Sequence, residues 1–318
     1  MKHVGIDMSK DSFHACFGEK HVVEFQNSEE GIEKFINFLT ENKHTKSKTK
    51  LGVESTGVYH LPLVASLSRS NWNISVINPI ISSRAIQNDS LRRVKTDKKD
   101  ARIIRELTEQ GKGYRYHDTD EVRKLQALCS ERTALVRMRA QCKQRLHAMS
   151  IRAKAIDGGV SEPYTGIIQN LTSEISSLQK EMSHTAGETQ KLLRSIPGIG
   201  ATASAMLVGY IGNIERFETT DQLAAYVGID PRVYQSGTSV LGKGYISKRG
   251  NKPLRTILFS AAFIASRRDE ELREYYAKKR KEGKHHFVIL CAIERRLINR
   301  IFVVWKRGTP YEKRTVKC

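Results

Sequence analysis

Cysteine is scarce and scattered in this chain: the five residues Cys16, Cys129, Cys142, Cys291 and Cys318 show no disulfide-framework or metal-ligand spacing. That excludes a disulfide-stapled secreted domain and points to a reducing cytoplasm. Long apolar runs are missing too, since nowhere do about eighteen apolar residues follow one another. The opening "MKHVGIDMSK" has no apolar stretch of signal-peptide length, so an unexported protein is expected. Aromatic residues make up only 7%, so platforms for stacking unpaired bases should be few.

Acidic charge is short as well, 34 Asp plus Glu against 54 Lys plus Arg, which leaves the 318 residues at a formal +20. The excess persists through "RRDEELREYYAKKRKEGKHH" near the C-terminus. Such a field attracts polyanions, and nucleic acid is the leading partner because each neutralised phosphate releases condensed counterions. Anionic membrane fits less well, since no segment joins a long apolar stripe to a basic face. With few aromatics, recognition of backbone and shape is favoured over base stacking. A merely soluble basic protein would carry the same charge.

The length allows two or three domains. "HVGID", "SFHACF" and "HVVEF" predict a three-stranded antiparallel meander. "SEEGIEKFINFLTENK" opens on a Ser cap and sets Ile32, Phe35, Ile36 and Leu39 on one helical face. "KLGVES" predicts a strand, "HLPLVASLSRS" a helix, and "NISVINP" a strand stopped by Pro79. A basic stretch from about Ser83 turns helical in its last part and ends at Gly111. The order β-β-β-α-β-α-β-α predicts a mixed sheet with helices packed on it.

From Asp120 to Ala153 there is neither Gly nor Pro, and Leu128, Leu135, Cys142 and Met149 recur every seven residues. One long amphipathic helix is expected. Beyond "DGGVSEP", Ile168, Leu171, Ile175, Leu178 and Met182 predict a second, and the pair suggests an antiparallel helical hairpin or coiled coil. Ordinary helices of a globular domain would show the same short seams. From Leu192 the chain becomes glycine-punctuated, and a third, mainly helical domain is expected.

Asp7 ends the first predicted strand and Glu54 the fourth, while Asp97 and Asp100 in "RVKTDKKDARII" are helical neighbours, i and i+3. In ribonuclease-H-like sheets of this strand order the first and fourth strands lie side by side and the closing helix crosses their ends. Four acids from three elements would then meet. Such a cluster needs a counter-ion, and hard oxygen donors favour Mg²⁺ or Mn²⁺. Two ions would activate the attacking oxygen and stabilise the leaving oxygen of a phosphodiester. Each acid also has a local reading: Asp7 in a turn, Glu54 on the surface, Asp97 capping a helix with Asp100 three residues on.

"IPGIG" resembles the hairpin of helix-hairpin-helix modules, in which Pro197, Gly198 and Gly200 would let backbone N–H groups approach a phosphate. The same residues also end helices for purely structural reasons. "YQSGTSVLGKG" is a polar glycine-rich loop containing Ser236, and the basic "SKRGNKPLR" comes soon after it. Lys243, Lys248, Arg249, Lys252 and Arg255 could hold phosphates there, or form a solvated basic loop.

Taken together, "VGIDMSKDSFHACF", "GVESTGVYHLPLV", "VINP", "RVKTDKKDARII", "SIPGIGATASAML" and "LAAYVGIDPRVYQSGTSVLGKGYISKRGNKPLR" resemble one family across nearly the whole chain. It is the DEDD-type transposases of the IS-one-ten group of insertion sequences, understood as bridge-RNA-guided recombinases. The resemblance implies a RuvC-like, RNase H-like catalytic domain over residues 1–118, a coiled-coil dimerisation domain over 119–190, and a transposase domain over 191–318. It implies that Asp7, Glu54, Asp97 and Asp100 bind Mg²⁺, with Mn²⁺ as the other candidate, and that Ser236 is the nucleophile. Ser236 would attack a scissile phosphate polarised by the metal and form a covalent DNA-phosphoserine, which a 3′-hydroxyl of the exchanged strand displaces.

The implied partners are donor and target double-stranded DNA, a structured noncoding bridge RNA, and further copies of the chain, a homodimer assembling to a tetramer. The acids of one subunit would work with the serine of another. No membrane is implied, and the expected place is the bacterial cytoplasm, on the nucleoid when bound to DNA. The competing function is a hydrolytic RuvC-like nuclease of the junction-resolvase type, using the same acids with water as nucleophile. A non-catalytic nucleic-acid-binding protein would need only the charge and "IPGIG".

Overall fold

Alternating apolar and polar residues at the start of the chain form three strands, β1 (Lys2–Met8), β2 (Ser12–Cys16) and β3 (Val22–Gln26), paired antiparallel in sequence. The computed structural model describes residues 1–18, 21–55, 57–89, 97–116, 118–154, 163–230, 235–236, 240–241 and 246–313. The chain divides into two compact units, Met1–Asp118 and Thr119–Cys318.

In the first unit, α1 (Glu29–Glu41) begins where the Ser28 hydroxyl accepts the Gly31 N–H at 3.1 Å, and Glu29 and Glu30 favour the positive helix end. It buries Ile32, Phe35 and Leu39. Then come β4 (Thr49–Glu54), α2 (Leu61–Arg69), β5 (Asn73–Ile77), α3 (Pro79–Asp89), α4 (Asp97–Glu109) and β6 (Tyr114–Arg115). The sheet order is β3-β2-β1-β4-β5-β6, with β1, β4 and β5 mutually parallel and β6 antiparallel at the edge. This mixed six-stranded sheet is the arrangement expected of a ribonuclease-H-like domain.

The two faces of that sheet are sorted by parity. Val4, Ile6, Met8, Leu51, Val53, Ile74 and Val76 pack with Phe13, Phe35, Leu39, Leu63 and Leu67 into one core. The opposite face meets α4, through a smaller cluster of Ile77, Ile103, Ile104 and Leu107. β5 ends just before Pro79, as expected, and the same proline opens α3, because proline at the start of a helix lacks only an N–H that would be unpaired anyway. The two-residue β6 carries too little pattern to be seen in sequence.

In the second unit, α5 (Asp120–Ala153) and α6 (Tyr164–Thr185) form an antiparallel pair, since Lys124 bonds Glu181 at 2.9 Å while Arg139 reaches Thr172 at 3.3 Å. Their seam is buried at the base and at Ile175, and only partly beyond. Leu125, Cys129 and Met182 share one core with the later helices of the unit, whereas Leu135, Cys142 and Met149 are half-buried and Met138 is 50% exposed. Burial pushes the Cys129 thiol up to about 12, which leaves it an inert packing group.

The remaining elements are α7 (Gly187–Leu193), α8 (Ala201–Ile211), a 3₁₀ turn at Ile214–Arg216, α9 (Thr220–Val227), β7 (Gln235–Ser236), β8 (Val240–Leu241), α10 (Lys252–Arg268), α11 (Glu270–Lys281) and α12 (His286–Arg307). Residues 119–190, expected as a separate domain, are thus rooted at their base in the core that α8, α10 and α12 build. None of the described helices is long and apolar enough to cross a membrane.

Candidate active site

Gly5 lies opposite Gly52, and Ile6 opposite Val53, across the parallel pair β1 and β4. Asp7 and Glu54 are the next pair along. Both therefore leave neighbouring strands at one level and on one face, the face shared with the two glycines, because residues two apart point the same way.

That face is covered by α4 at very short range. A Cβ on Gly5 would lie 2.1 Å from the Arg105 amide nitrogen and 2.3 Å from the Ala101 carbonyl oxygen. One on Gly52 would meet Thr108 Oγ1 at 1.7 Å. Two strand glycines, each two residues before an acid, thus remove the side chains that would hold the helix off the sheet. Sequence reasoning missed this pair; glycine inside a strand pattern was the available signal.

The direction of α4 is set out by its charges. Glu109 near its C-terminus pulls the pKa of His3 upward, against the larger lowering effect of burial, so that helix end lies over the start of β1. Its N-terminus then points toward the end of β1 that carries Asp7. Four helical residues back from Ala101 span ~6 Å and two strand residues on from Gly5 span ~6.6 Å, so the first turn of α4 reaches the level of Asp7 and Glu54. On that turn Asp97 is exposed and Asp100 is buried, with 4% of its surface exposed.

Backbone topology thus sets Asp7 and Glu54 level on one face, with the first turn of α4 directed toward the same end. Four carboxylates are the hard oxygen donors a divalent cation takes. Among the described residues, however, no three His, Cys, Asp or Glu side chains stand close enough together to hold a metal ion. The donor chemistry fits the expected ion; the side chains as placed do not yet form its ligand set.

Ser236 falls in β7, opposite Val240 of β8, in a short antiparallel hairpin. Lys243 lies outside the described residues. Lys248, Arg249 and Lys252 are exposed, and Lys248 adopts a left-handed backbone with φ 56°. Arg255 differs from them: its Nη1 donates to the Val227 carbonyl at 2.9 Å and to the Gly250 carbonyl at 3.0 Å. That nitrogen is taken up by two backbone carbonyls of the fold.

"IPGIG" forms the turn from α7 to α8. Gly198, with φ 94°, has no room for a side chain, since a Cβ would lie 2.7 Å from both the Ala261 carbonyl oxygen and the Ala265 Cβ of α10. Its glycine is a packing requirement. Gly200 is different: exposed, extended and preceding α8 with open space around its Cα, it leaves the start of that helix without a side-chain cap.

Residues 4–149 match the family model for DEDD transposases of the IS110 type, and residues 190–277 match the model described as the transposase IS116/IS110/IS902 family. Similar proteins include the pilin gene-inverting protein of Moraxella bovis, 28% identical over 320 residues covering 98% of each chain. The transposase for insertion sequence element IS1328 of Yersinia enterocolitica is 26% identical over 343 residues, again 98% of each. The transposase for insertion sequence element IS1111A of Coxiella burnetii is 24% identical over 337 residues, covering 95% of this chain and 86% of that one. With a mixed sheet that sets Asp7 beside Glu54 under α4, and both family domains present in order, the chain belongs to the IS116/IS110/IS902 family of DEDD transposases, enzymes that recombine DNA.

Proposed function

We propose that this transposase cuts and rejoins DNA by transesterification through Ser236, with Asp7, Glu54, Asp97 and Asp100 holding a divalent cation, Mg²⁺ or Mn²⁺. The observation that carries the acid half is the register of β1 and β4, which sets Asp7 level with Glu54 beneath the first turn of α4. When bound, the cation would supply Lewis-acid polarisation of the scissile phosphate.

The chain's own residues do the rest. The four carboxylates present oxygen donors and repel the DNA backbone unless their charge is neutralised, so substrate and cation bind together. The Ser236 hydroxyl attacks the phosphorus: the Oγ–P bond forms, the P–O3′ bond breaks, and the departing 3′-oxygen takes up a proton. A 3′-hydroxyl of the exchanged strand then attacks the phosphoserine, restoring a phosphodiester and returning the proton to Ser236. One phosphodiester replaces another, so no ATP is consumed. One relative is named for inverting a gene and another for moving an insertion sequence, and both changes require strands to be rejoined.

The formal +20 supports binding of both DNA and a structured guide RNA through backbone contacts. Lys248, Arg249, Lys252 and the open start of α8 at Gly200 are the proposed phosphate contacts, alongside Lys243. The half-buried outer seam of the α5–α6 pair is the proposed dimer element, with acids and serine supplied by different subunits of a tetramer.

The test is Ser236→Ala in the full chain, incubated with Mg²⁺, the RNA transcribed from DNA flanking the gene, and a duplex spanning the element end. Loss of both cleavage and a protein–DNA adduct resistant to denaturant is expected. Undiminished cleavage by this variant would assign the chemistry to water and make the enzyme a hydrolytic nuclease.

A further inference from the structure

The connection from α9 to α10 carries Ser236, and its two ends are tied together at a narrow neck. α9 ends on Gly228, left-handed at φ 84°, and α10 begins on Asn251, whose side chain accepts the Leu254 N–H at 2.9 Å. Three backbone bonds close the neck: Asn251 N–H to the Tyr226 carbonyl at 2.9 Å, Lys248 N–H to that of Gly228 at 3.1 Å, and Ser247 N–H to that of Asp230 at 2.9 Å. The Ser247 hydroxyl also donates to the Asp230 carboxylate.

At the narrowest point two glycines stand back to back. A Cβ on Gly250 would lie 2.1 Å from the Tyr226 carbonyl oxygen, and one on Gly228 would lie 2.5 Å from the Gly250 nitrogen and 2.7 Å from Arg255 Nη1. Arg255, one turn into α10, reaches back into this gap and donates from a single nitrogen to a carbonyl on each side.

Arg255 is also felt by Glu294 of α12, which is only 3% exposed and has no hydrogen bond or ion pair among the described residues. Burial raises the pKa of its carboxyl to about 7, while Arg255 acts to lower it. Cys291, one turn before it, has its thiol pKa raised by burial and then by Glu294, with Lys248 of the neck acting to lower it. A carboxyl kept in an apolar core at that cost, facing one arginine, is a counter-charge placed for that arginine.

We propose that Arg255, backed by Glu294, is a positioning residue that fixes the neck of the α9–α10 connection and thereby sets where Ser236 is presented to the DNA. The link to catalysis rests on the assignment of Ser236 as nucleophile; the clamp itself does not.

Two measurements on Arg255→Lys in the full chain test the two parts separately. Lysine keeps the charge, but its side chain ends one atom short of Nη1, so its ammonium does not take that nitrogen's place between the two carbonyls. Hydrogen exchange of the Lys248 and Asn251 amides is expected to speed up by about tenfold or more, with protection elsewhere in α9, α10 and α12 retained. Unchanged exchange at those amides overturns the clamp whatever the enzyme does. Single-turnover adduct formation, with flanking RNA and a duplex spanning the element end, is expected to lose about tenfold or more in plateau rate, with the half-saturating DNA concentration unchanged. A raised half-saturation at an unchanged plateau would make Arg255 a phosphate contact and sink the positioning role. If wild type and Ser236→Ala cleave alike, the nucleophile assignment fails, and the exchange result still decides the clamp.

Discussion

The two units carry the proposed reactive side chains on opposite materials. In the first, the acids stand on β1, β4 and α4, regular elements whose relative position is set by Gly5 and Gly52. In the second, Ser236 stands on a hairpin between two helix ends, held at a neck by Gly228, Gly250 and Arg255. Both rely on a glycine pair to bring backbones closer than side chains allow. The difference is what fills the gap: a whole helix in one case, a single guanidinium in the other. A carboxylate set that is to serve an ion must hold its geometry within tenths of an ångström, which favours regular elements, whereas the proposed nucleophile stands on a connection tied down at its base.

The sharpest break in the comparison comes from the acids. Asp7→Asn is expected to lower strand cleavage by about a thousandfold or more while leaving thermal unfolding of both units nearly unchanged. Gel assay and calorimetry on one preparation check this, and cleavage within tenfold of wild type would remove Asp7 from the site.

Next in size is Gly5→Ala. The added methyl meets backbone atoms of Ala101 and Arg105, which cannot swing aside, so α4 must lift. A loss of roughly 3 kcal/mol or more is expected in the first unit alone. A calorimetric trace in which the second unit's transition fell equally would show that the units are not independent.

Glu294→Gln tests the second unit by pH. Burial raises its carboxyl from the ordinary 4.5 to about 7. Below about 4.5 the group is protonated in both folded and unfolded chains and costs nothing. Between about 4.5 and 7 only the unfolded chain ionises, so stability falls as pH rises, by on the order of 3 kcal/mol, and stays reduced above 7. The glutamine variant should match wild type near pH 4 and be the more stable protein near pH 8, as read from denaturant midpoints across that range.

The smallest effect separates two kinds of close approach. Gly52→Ala meets the Thr108 hydroxyl, which can rotate away by giving up its 2.7 Å bond to the Ile104 carbonyl. A cost of about 1–2 kcal/mol is expected, largely recovered in the double variant with Thr108→Ala. Failure of that rescue would mean that the strand backbone itself, not one hydroxyl, limits the contact.

Much of this is legible along the chain because it is local. Ser28 before an acidic pair announces α1, and the absence of Gly and Pro from 120 to 153 announces α5, whose observed limits are Asp120 and Ala153. Asp7 and Glu54 can be placed near strand ends because the apolar–polar strand pattern gives way to turn-forming residues just beyond them. Pro79 marks the end of β5 but does not announce α3, because proline ends a strand and opens a helix with equal ease. The inward turn of Arg255 is not legible, since "SKRGNKPLR" shows five cations and nothing in their spacing says which faces a carbonyl.

Sequence alone determined the periods, caps and charge of this protein, and through them the order of its strands and helices, because those properties depend on neighbours a few residues away. Only the tertiary structure decided that Gly5 lies under Arg105, that Gly228 meets Gly250, and that Glu294 is buried. Those are contacts between segments far apart in the chain, fixed by close packing, which no local pattern encodes.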